Sequence, residues 1–248
     1  MICCLAGMHR SGTSFLAQWL ASSGLPLTTG GDIRPDVSNP GGYFEDLDFV
    51  RLHAGHLRRV HMLSAGWKLA PKGFLRFTAD EALCAKRLVH ERSTVHSTWG
   101  WKDPRTTLFL PNWKEVVPRL KVIIVWRPCA DVAHSLVRRW LKQRRPHLLI
   151  MPGSAIRLWQ AYNRLAIAYA VRFPEETLLI PSFQFPAIEQ PLQKALAVRF
   201  GLNLNASPAV ELFNTNRLSQ APTWLRRLSS ARGADEIEAR LRALSLHL

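Results

Sequence analysis

Residues 2–14 read Ile2-Cys3-Cys4-Leu5-Ala6-Gly7-Met8-His9-Arg10-Ser11-Gly12-Thr13-Ser14, and apolar residues at three-to-four spacing continue from Ser14 to Ser23 before Gly24. The first run has the length and composition of a buried strand ending at Ala6, and the spacing after it is that of a helix. Between them Gly7 and Gly12 lie five apart. Strand, glycine loop and helix N-terminus in that order form an anion cradle. The glycines let the backbone approach, and the first N–H groups of a helix have no partner within it. The residues expected to hold a phosphate there are Arg10, Ser11, Gly12, Thr13 and Ser14.

The same alternation recurs downstream. Short apolar runs at Thr98 to Lys102, Lys121 to Trp126 and Thr177 to Pro181 have the pattern of strands buried on both faces. Helical spacing covers Asp131 to Arg144, Ala155 to Arg172 and Pro191 to Phe200, with Gly24 and Gly201 at helix stops. The order βαβα predicts a three-layer α/β fold around a central parallel sheet. Thr28 to Gly42 is rich in Gly, Pro, Asp and Asn and reads as a long loop before a helix from about Asp46 to Leu63. Pro146 to Gly153 reads as a mobile loop over the cleft, and Asp235 to Leu248 as an amphipathic helix. There are no repeats, no low-complexity segments and no composition break, so residues 1–248 are expected to form a single domain.

The chain carries 33 Lys plus Arg against 18 Asp plus Glu, a formal charge of +15, with a sequence pI near 10.7. Hydrophobic residues make up 47% and charged ones 21%, which excludes the composition of a disordered chain and leaves an anionic partner as the expectation. The longest apolar run, Leu165 to Val171, is seven residues, against the roughly 20 of a membrane span. No cationic stretch precedes a long apolar one near the N-terminus, so that end reads as structure rather than a signal peptide. Cys3, Cys4, Cys84 and Cys129 have no metal or Cys-x-x-Cys spacing and read as buried or half-buried thiols of a reducing compartment, which places the protein in the cytoplasm.

What the loop lacks narrows its ligand. Gly7-x4-Gly12 has Walker A spacing, but the lysine that would follow Gly12 is Thr13, and Arg10 is the loop's cation. A nucleoside triphosphatase would end the strand Val122 to Trp126 in an Asp that helps hold Mg²⁺, and here Arg127 follows. A cation in place of a metal-binding anion suggests a phosphate neutralised by protein alone, with no metal. That weighs against a P-loop small-molecule kinase, which is kept as one alternative.

Arg10-Ser11-Gly12-Thr13-Ser14, followed by Arg127-x7-Ser135 after a central strand, resembles the sulfotransferases that use 3′-phosphoadenosine 5′-phosphosulfate. Gly42-Tyr43-Phe44-Glu45-Asp46 and Lys102-Asp103-Pro104-Arg105 resemble stretches of bacterial members, and the likeness runs from about residue 2 to residue 200. The resemblance implies a P-loop nucleoside triphosphate hydrolase-like fold and transfer of a sulfonyl group to an acceptor hydroxyl, on a carbohydrate or small metabolite. It implies that Arg10 to Ser14 hold the 5′-phosphosulfate, that Arg127 and Ser135 grip the 3′-phosphate, and that Lys102 stands near the bridging oxygen, where an ammonium stabilises the leaving phosphate. Cytosolic members place a base His where this chain has Pro104. Other branches use a carboxylate, so Glu45 is the first candidate for the base, ahead of Asp46 and His9. The Tyr-Glu-Asp that many members carry after the last strand is Ser182-Phe183-Gln184, and the C-terminal glycine-rich cationic segment of cytosolic members is absent.

Arg138, Arg139, Lys142, Arg144 and Arg145 crowd five cations into eight residues at a helix end, where positive charge is favourable in itself. They read either as a solvated basic face or as a patch for an anionic acceptor. A non-catalytic basic module is the other alternative, although no zinc-finger, homeodomain or RNA-recognition pattern makes nucleic acid the partner. Nine tryptophans are many for this length; most are expected in the core or in cleft walls, with one or two left to stack on a sugar ring.

Overall fold

A computed structural model describes residues 1–28, 30–32, 42–62, 72–143, 151–185, 187–205 and 220–245. Four parallel strands form the sheet: β1 (Ile2–Gly7), β2 (Trp99–Lys102), β3 (Lys121–Trp126) and β4 (Thr177–Pro181), in the order β2-β1-β3-β4. Register pairs Leu5 with Lys102, Gly7 with Val125, and Trp126 with Pro181, so the carboxyl ends of all four strands open on one edge. The chain winds outward from β1 to β2 on one side and from β3 to β4 on the other, so the direction reverses between β1 and β3, where open α/β sheets hold ligands.

Alternation along the strands builds two cores. Cys3, Leu5, Ile123, Val125, Leu178 and Ile180 face α1 (Thr13–Ser22) and, further along the chain, Glu189–Phe200. Cys4, Ala6, Val122, Ile124 and Trp126 face the opposite, larger layer. That layer begins with α2 (Leu47–Arg59), α3 (Ala79–Val95) and α4 (Leu110–Val116), and continues with α5 (Cys129–Gln143) and α6 (Pro152–Arg172). The helix Glu189–Phe200 is α7; α8 (Thr223–Ala231) and α9 (Ala234–Leu244) complete the order. The three-layer α/β arrangement with a central parallel sheet is the one the sequence pattern predicts.

All four expected strands are present within one residue of their predicted bounds. Helix α2 stops at Arg59, short of Leu63, because His61 takes a left-handed φ of 57° and the N–H groups of Val60 to Met62 close a turn onto the last carbonyls. Helix α5 starts at Cys129, two residues before Asp131, and α6 starts at Pro152, three before Ala155. Pro152 and Gly153 are therefore helix rather than loop: proline suits a first helical turn, whose N–H would be unpartnered in any case. Met151 is the N-cap of that helix, and residues 146–150 of the expected loop lie outside the described residues, as does most of Thr28 to Gly42. Helix α3 was not legible from apolar spacing because it buries only Ala85 completely; a capping box between Thr78 and Glu81 starts it.

Trp19, Trp99, Trp101, Trp113, Trp126 and Trp159 are all buried to 1% exposure or less, so these six are core rather than sugar platforms; Trp67 lies outside the described residues. Phe49 lies 4.5 Å from the Trp101 ring and 5.2 Å from Trp113, and His53 stacks at 4.9 Å on Phe109. This aromatic block seats α2 against β2, which positions the residues after both. Cys3, Cys4 and Cys129 are buried free thiols and Cys84 is half-buried; burial pushes Cys3 up to about 12. No helix among the described residues is long and apolar enough to cross a membrane.

Candidate functional site

The glycine loop rises from the end of β1. Gly7 has φ 125°, and a Cβ there would collide with the carbonyl oxygen of Val125 on the neighbouring strand. Gly12 has φ 93°, and its Cβ would stand 2.7 Å from that of Ser182 after β4. Only glycine satisfies both the positive φ and the close approach at either position. Gly12 is also the N-cap of α1, and no side chain caps that helix. Its first N–H groups therefore face the crevice end of the sheet, where an anion would be stabilised. The Ser11 hydroxyl is buried beside them and has no hydrogen-bond partner among the described residues. An orphaned buried hydroxyl in a cradle of this kind is a fit for a phosphate oxygen.

Arg10 bends out of the loop through a left-handed φ of 69° and donates from Nε to Ser135 Oγ on α5, 2.9 Å away. The two motifs that were read separately along the chain are thus joined by one hydrogen bond. Arg127, 4% exposed, follows β3 and lies 3.8 Å from Asp131 of α5. Burial lowers its pKa from the ordinary guanidinium value, with Asp131 opposing. A guanidinium placed there has the planar fork that suits a phosphate.

The centre of the crevice is an ion-pair cluster. Lys102, 1% exposed, donates from Nζ to Glu45 Oε1 at 2.7 Å, to the Tyr43 carbonyl at 2.9 Å and to Ser14 Oγ at 3.3 Å. Glu45, 4% exposed, accepts at its other oxygen from Arg105 Nη2 at 2.8 Å. Arg105 in turn binds Asp103 through Nε at 2.7 Å. The peptide N–H groups of Phe44 and Glu45 both donate to the Asp32 carboxylate, which holds the turn before α2 where Phe44 has φ 53°. Asp46 is the N-cap of α2, accepting from Asp48 N and Gly30 N, with Arg92 at 3.5 Å. Its oxygens face these backbone partners and the arginine. The structure thus brings Glu45, Lys102 and Ser14 together and ties Arg10 to Ser135.

His9, on the loop, is partly buried; desolvation and then the Arg105 guanidinium drive its imidazole down to about 3, against a smaller opposing pull from Asp103. Tyr43 accepts at its hydroxyl from Arg139 Nη2 at 3.1 Å, and the guanidinium lies 5.9 Å over its ring. Arg139 is therefore turned toward Tyr43, while Arg138 is exposed; the side chains of Lys142, Arg144 and Arg145 lie outside the described residues. Phe183 packs at 5.2 Å on Trp126, with the Arg242 guanidinium 5.3 Å above it. Arg226 donates to the Ala221 carbonyl, Arg227 is exposed, and Arg217 lies outside the described residues.

Sequence reasoning missed His53, Tyr43 and Arg139 as neighbours of the site. Phe49, His53 and Leu57 fall on one buried stripe of α2 at intervals of four, and a histidine on such a stripe needs a buried partner. No group of three or more His, Cys, Asp or Glu with metal-site proximity occurs among the described residues.

No protein-family model matches the chain, and no curated protein matches it. Among solved structures, the sulfotransferase domain of the Synechococcus PCC 7002 olefin synthase has a TM-score of 0.51 at 14% identity, covering 98% of this chain and 92% of its own. The sulfotransferase domain from the curacin biosynthetic pathway has 0.49 at 14%, covering 89% and 80%. Sulfotransferase STF1 from Mycobacterium tuberculosis H37Rv has 0.48 at 13%, covering 96% and 75%. All three neighbours are sulfotransferases, and the olefin synthase domain shows that the chain has their P-loop-like fold.

Proposed function

We propose that the protein is a sulfotransferase that moves a sulfonyl group from 3′-phosphoadenosine 5′-phosphosulfate to a hydroxyl of a carbohydrate or small metabolite. One observation carries this reading: a lysine and a glutamate, both buried and 2.7 Å apart, stand beside Ser14 of an anion loop at the carboxyl edge of the sheet. A buried pair of this kind is expensive to desolvate and is a weak stability device. At a crevice it supplies one group for each end of an in-line displacement. The acceptor oxygen bonds to sulfur as the bond from sulfur to the bridging oxygen breaks. The acceptor proton goes to Glu45 and the electron pair to the leaving phosphate. Protonation neutralises Glu45, so Lys102 loses its counter-charge as negative charge grows on the leaving oxygen, and its ammonium then serves that oxygen.

In this reading the N–H groups of α1, Ser11, Thr13 and Ser14 take the 5′-phosphosulfate, while Arg127 and Ser135 take the 3′-phosphate, with Arg10 bridging the two. The reading is supported by the sulfotransferase-like fold, the loop geometry and the ion-pair cluster together. Thermal-shift titration tests it. 3′,5′-Bisphosphoadenosine should stabilise the protein well beyond AMP, and Arg127→Ala should abolish the difference. Equal shifts with AMP would remove the 3′-phosphate assignment, and a larger shift with ATP and Mg²⁺ would favour a kinase.

A further inference from the structure

Behind Glu45, on the side away from Lys102, runs a line of buried hydrogen bonds. The Trp113 indole N–H donates to His53 Nε2 at 2.9 Å. An indole nitrogen only donates, so Nε2 accepts and the imidazole proton sits on Nδ1. Nδ1 then donates to Asp103 Oδ2 at 2.7 Å. Asp103 accepts at Oδ1 from the Arg105 peptide N–H at 2.9 Å and from Arg105 Nε at 2.7 Å, and Arg105 Nη2 ends on Glu45. Burial lowers the pKa of His53, and the carboxyl of Asp103 is held well below its usual range by Arg105 and then His53 against desolvation. The imidazole is neutral and the carboxylate charged.

We propose that His53 is a positioning residue for sulfonyl transfer, acting through Asp103 and Arg105 to hold the Glu45 carboxylate in its working orientation. The inference rests on the reading of Glu45 as the base. Helix packing alone does not account for the histidine, since a phenylalanine would stack equally well on Phe109 but would give Asp103 no donor. One guanidinium spans two carboxylates, with Nε on Asp103 and Nη2 on Glu45, and its planar fork passes any rotation of the first to the second. Among the described residues Asp103 is held in direction at Oδ1 by the Arg105 peptide N–H of its own turn and at Oδ2 by His53. The peptide N–H fixes one oxygen, and His53 fixes the other from outside that turn, carried on α2, the helix that Glu45 precedes by two residues. Without it the oxygen facing Lys102 and Ser14 loses its fixed position. Misplacement by about 1 Å costs on the order of 100-fold in rate.

The test compares His53→Phe with His53→Asn, whose amide N–H replaces the Nδ1 donor. Binding is read as stabilisation by 3′,5′-bisphosphoadenosine, and transfer as release of sulfate from ³⁵S-labelled donor to water. His53→Phe should bind the bisphosphate within about twofold of wild type and lose roughly 10- to 100-fold in transfer, the range for removing an orienting partner. His53→Asn should recover most of that loss. Transfer by His53→Phe at the wild-type rate overturns the proposal, and so do equal losses of binding and transfer in both variants. The tautomer is read in the wild-type protein by ¹⁵N spectroscopy of labelled histidine. The His53 proton on Nδ1 supports the chain, and a proton on Nε2 overturns it even if a variant fails to fold. Wild-type transfer by Glu45→Gln would instead remove the base reading, an outcome distinct from each of these.

Discussion

Replacing Glu45 by Gln removes the negative partner of a lysine that is 1% exposed. In the native cluster the charges of Lys102 and Arg105 are matched by those of Glu45 and Asp103; the variant leaves one uncompensated positive charge with almost no access to water. Breaking a buried pair by removing one partner costs about 3–5 kcal/mol. The lower end applies here, about 3 kcal/mol, because the amide oxygen, the Tyr43 carbonyl and Ser14 Oγ still accept from the cations. For a chain of this size each kcal/mol moves the midpoint by about 2–4 °C, so the loss is about 6–12 °C. Lys102→Met should cost a similar amount. The double variant, a near-isosteric neutral pair, should recover at least about 1 kcal/mol relative to the sum of the singles. Denaturant unfolding of the four proteins measures this cycle. Additivity within about 0.5 kcal/mol would refute the claim that these two groups sustain each other. In the same Glu45→Gln protein, 3′,5′-bisphosphoadenosine should still bind, while transfer falls by roughly 100- to 10,000-fold if Glu45 takes the acceptor proton.

Two further outcomes follow from the same cluster and loop. Gly7→Ala should destabilise by about 3 kcal/mol or more, combining strain at positive φ with a backbone clash, and should lower both the thermal midpoint and bisphosphate binding. Stability should fall as pH drops below the ordinary histidine value of 6.5, because His9 and His53 have lowered pKa values in the folded protein. The unfolded chain then takes up protons that the folded one refuses, down to about 3 for His9. Asp103, depressed in the folded state, adds a loss only below about 4 as the unfolded chain is protonated first. Urea unfolding between pH 7 and pH 4 measures the slope, and His9→Asn should flatten it; an unchanged slope would contradict the burial of a neutral His9.

The strands were legible because each is buried on both faces and so must be continuously apolar, as Val122 to Val125 are. The glycine loop was legible because steric limits on positive φ are local and leave a glycine as their trace. Helix α3 was not, since a helix that buries a single residue completely has no stripe to read. Glu45 and Lys102 were found by resemblance, and nothing in their spacing of 57 residues announced that they touch.

The order of elements, the place of the glycine loop and the residue types at the crevice were determined by the amino-acid sequence alone, because short-range sterics and hydrophobic periodicity act between residues close in the chain. Which charges meet was decided by the tertiary structure. Arg10 finds Ser135 across 125 positions, Arg139 turns onto Tyr43, and His53 reaches Asp103 across 50. The register of parallel strands and the aromatic seating of α2 set those meetings. Ion pairing and hydrogen bonding depend on distance, direction and exclusion of water, and all three come into being only when the chain is packed.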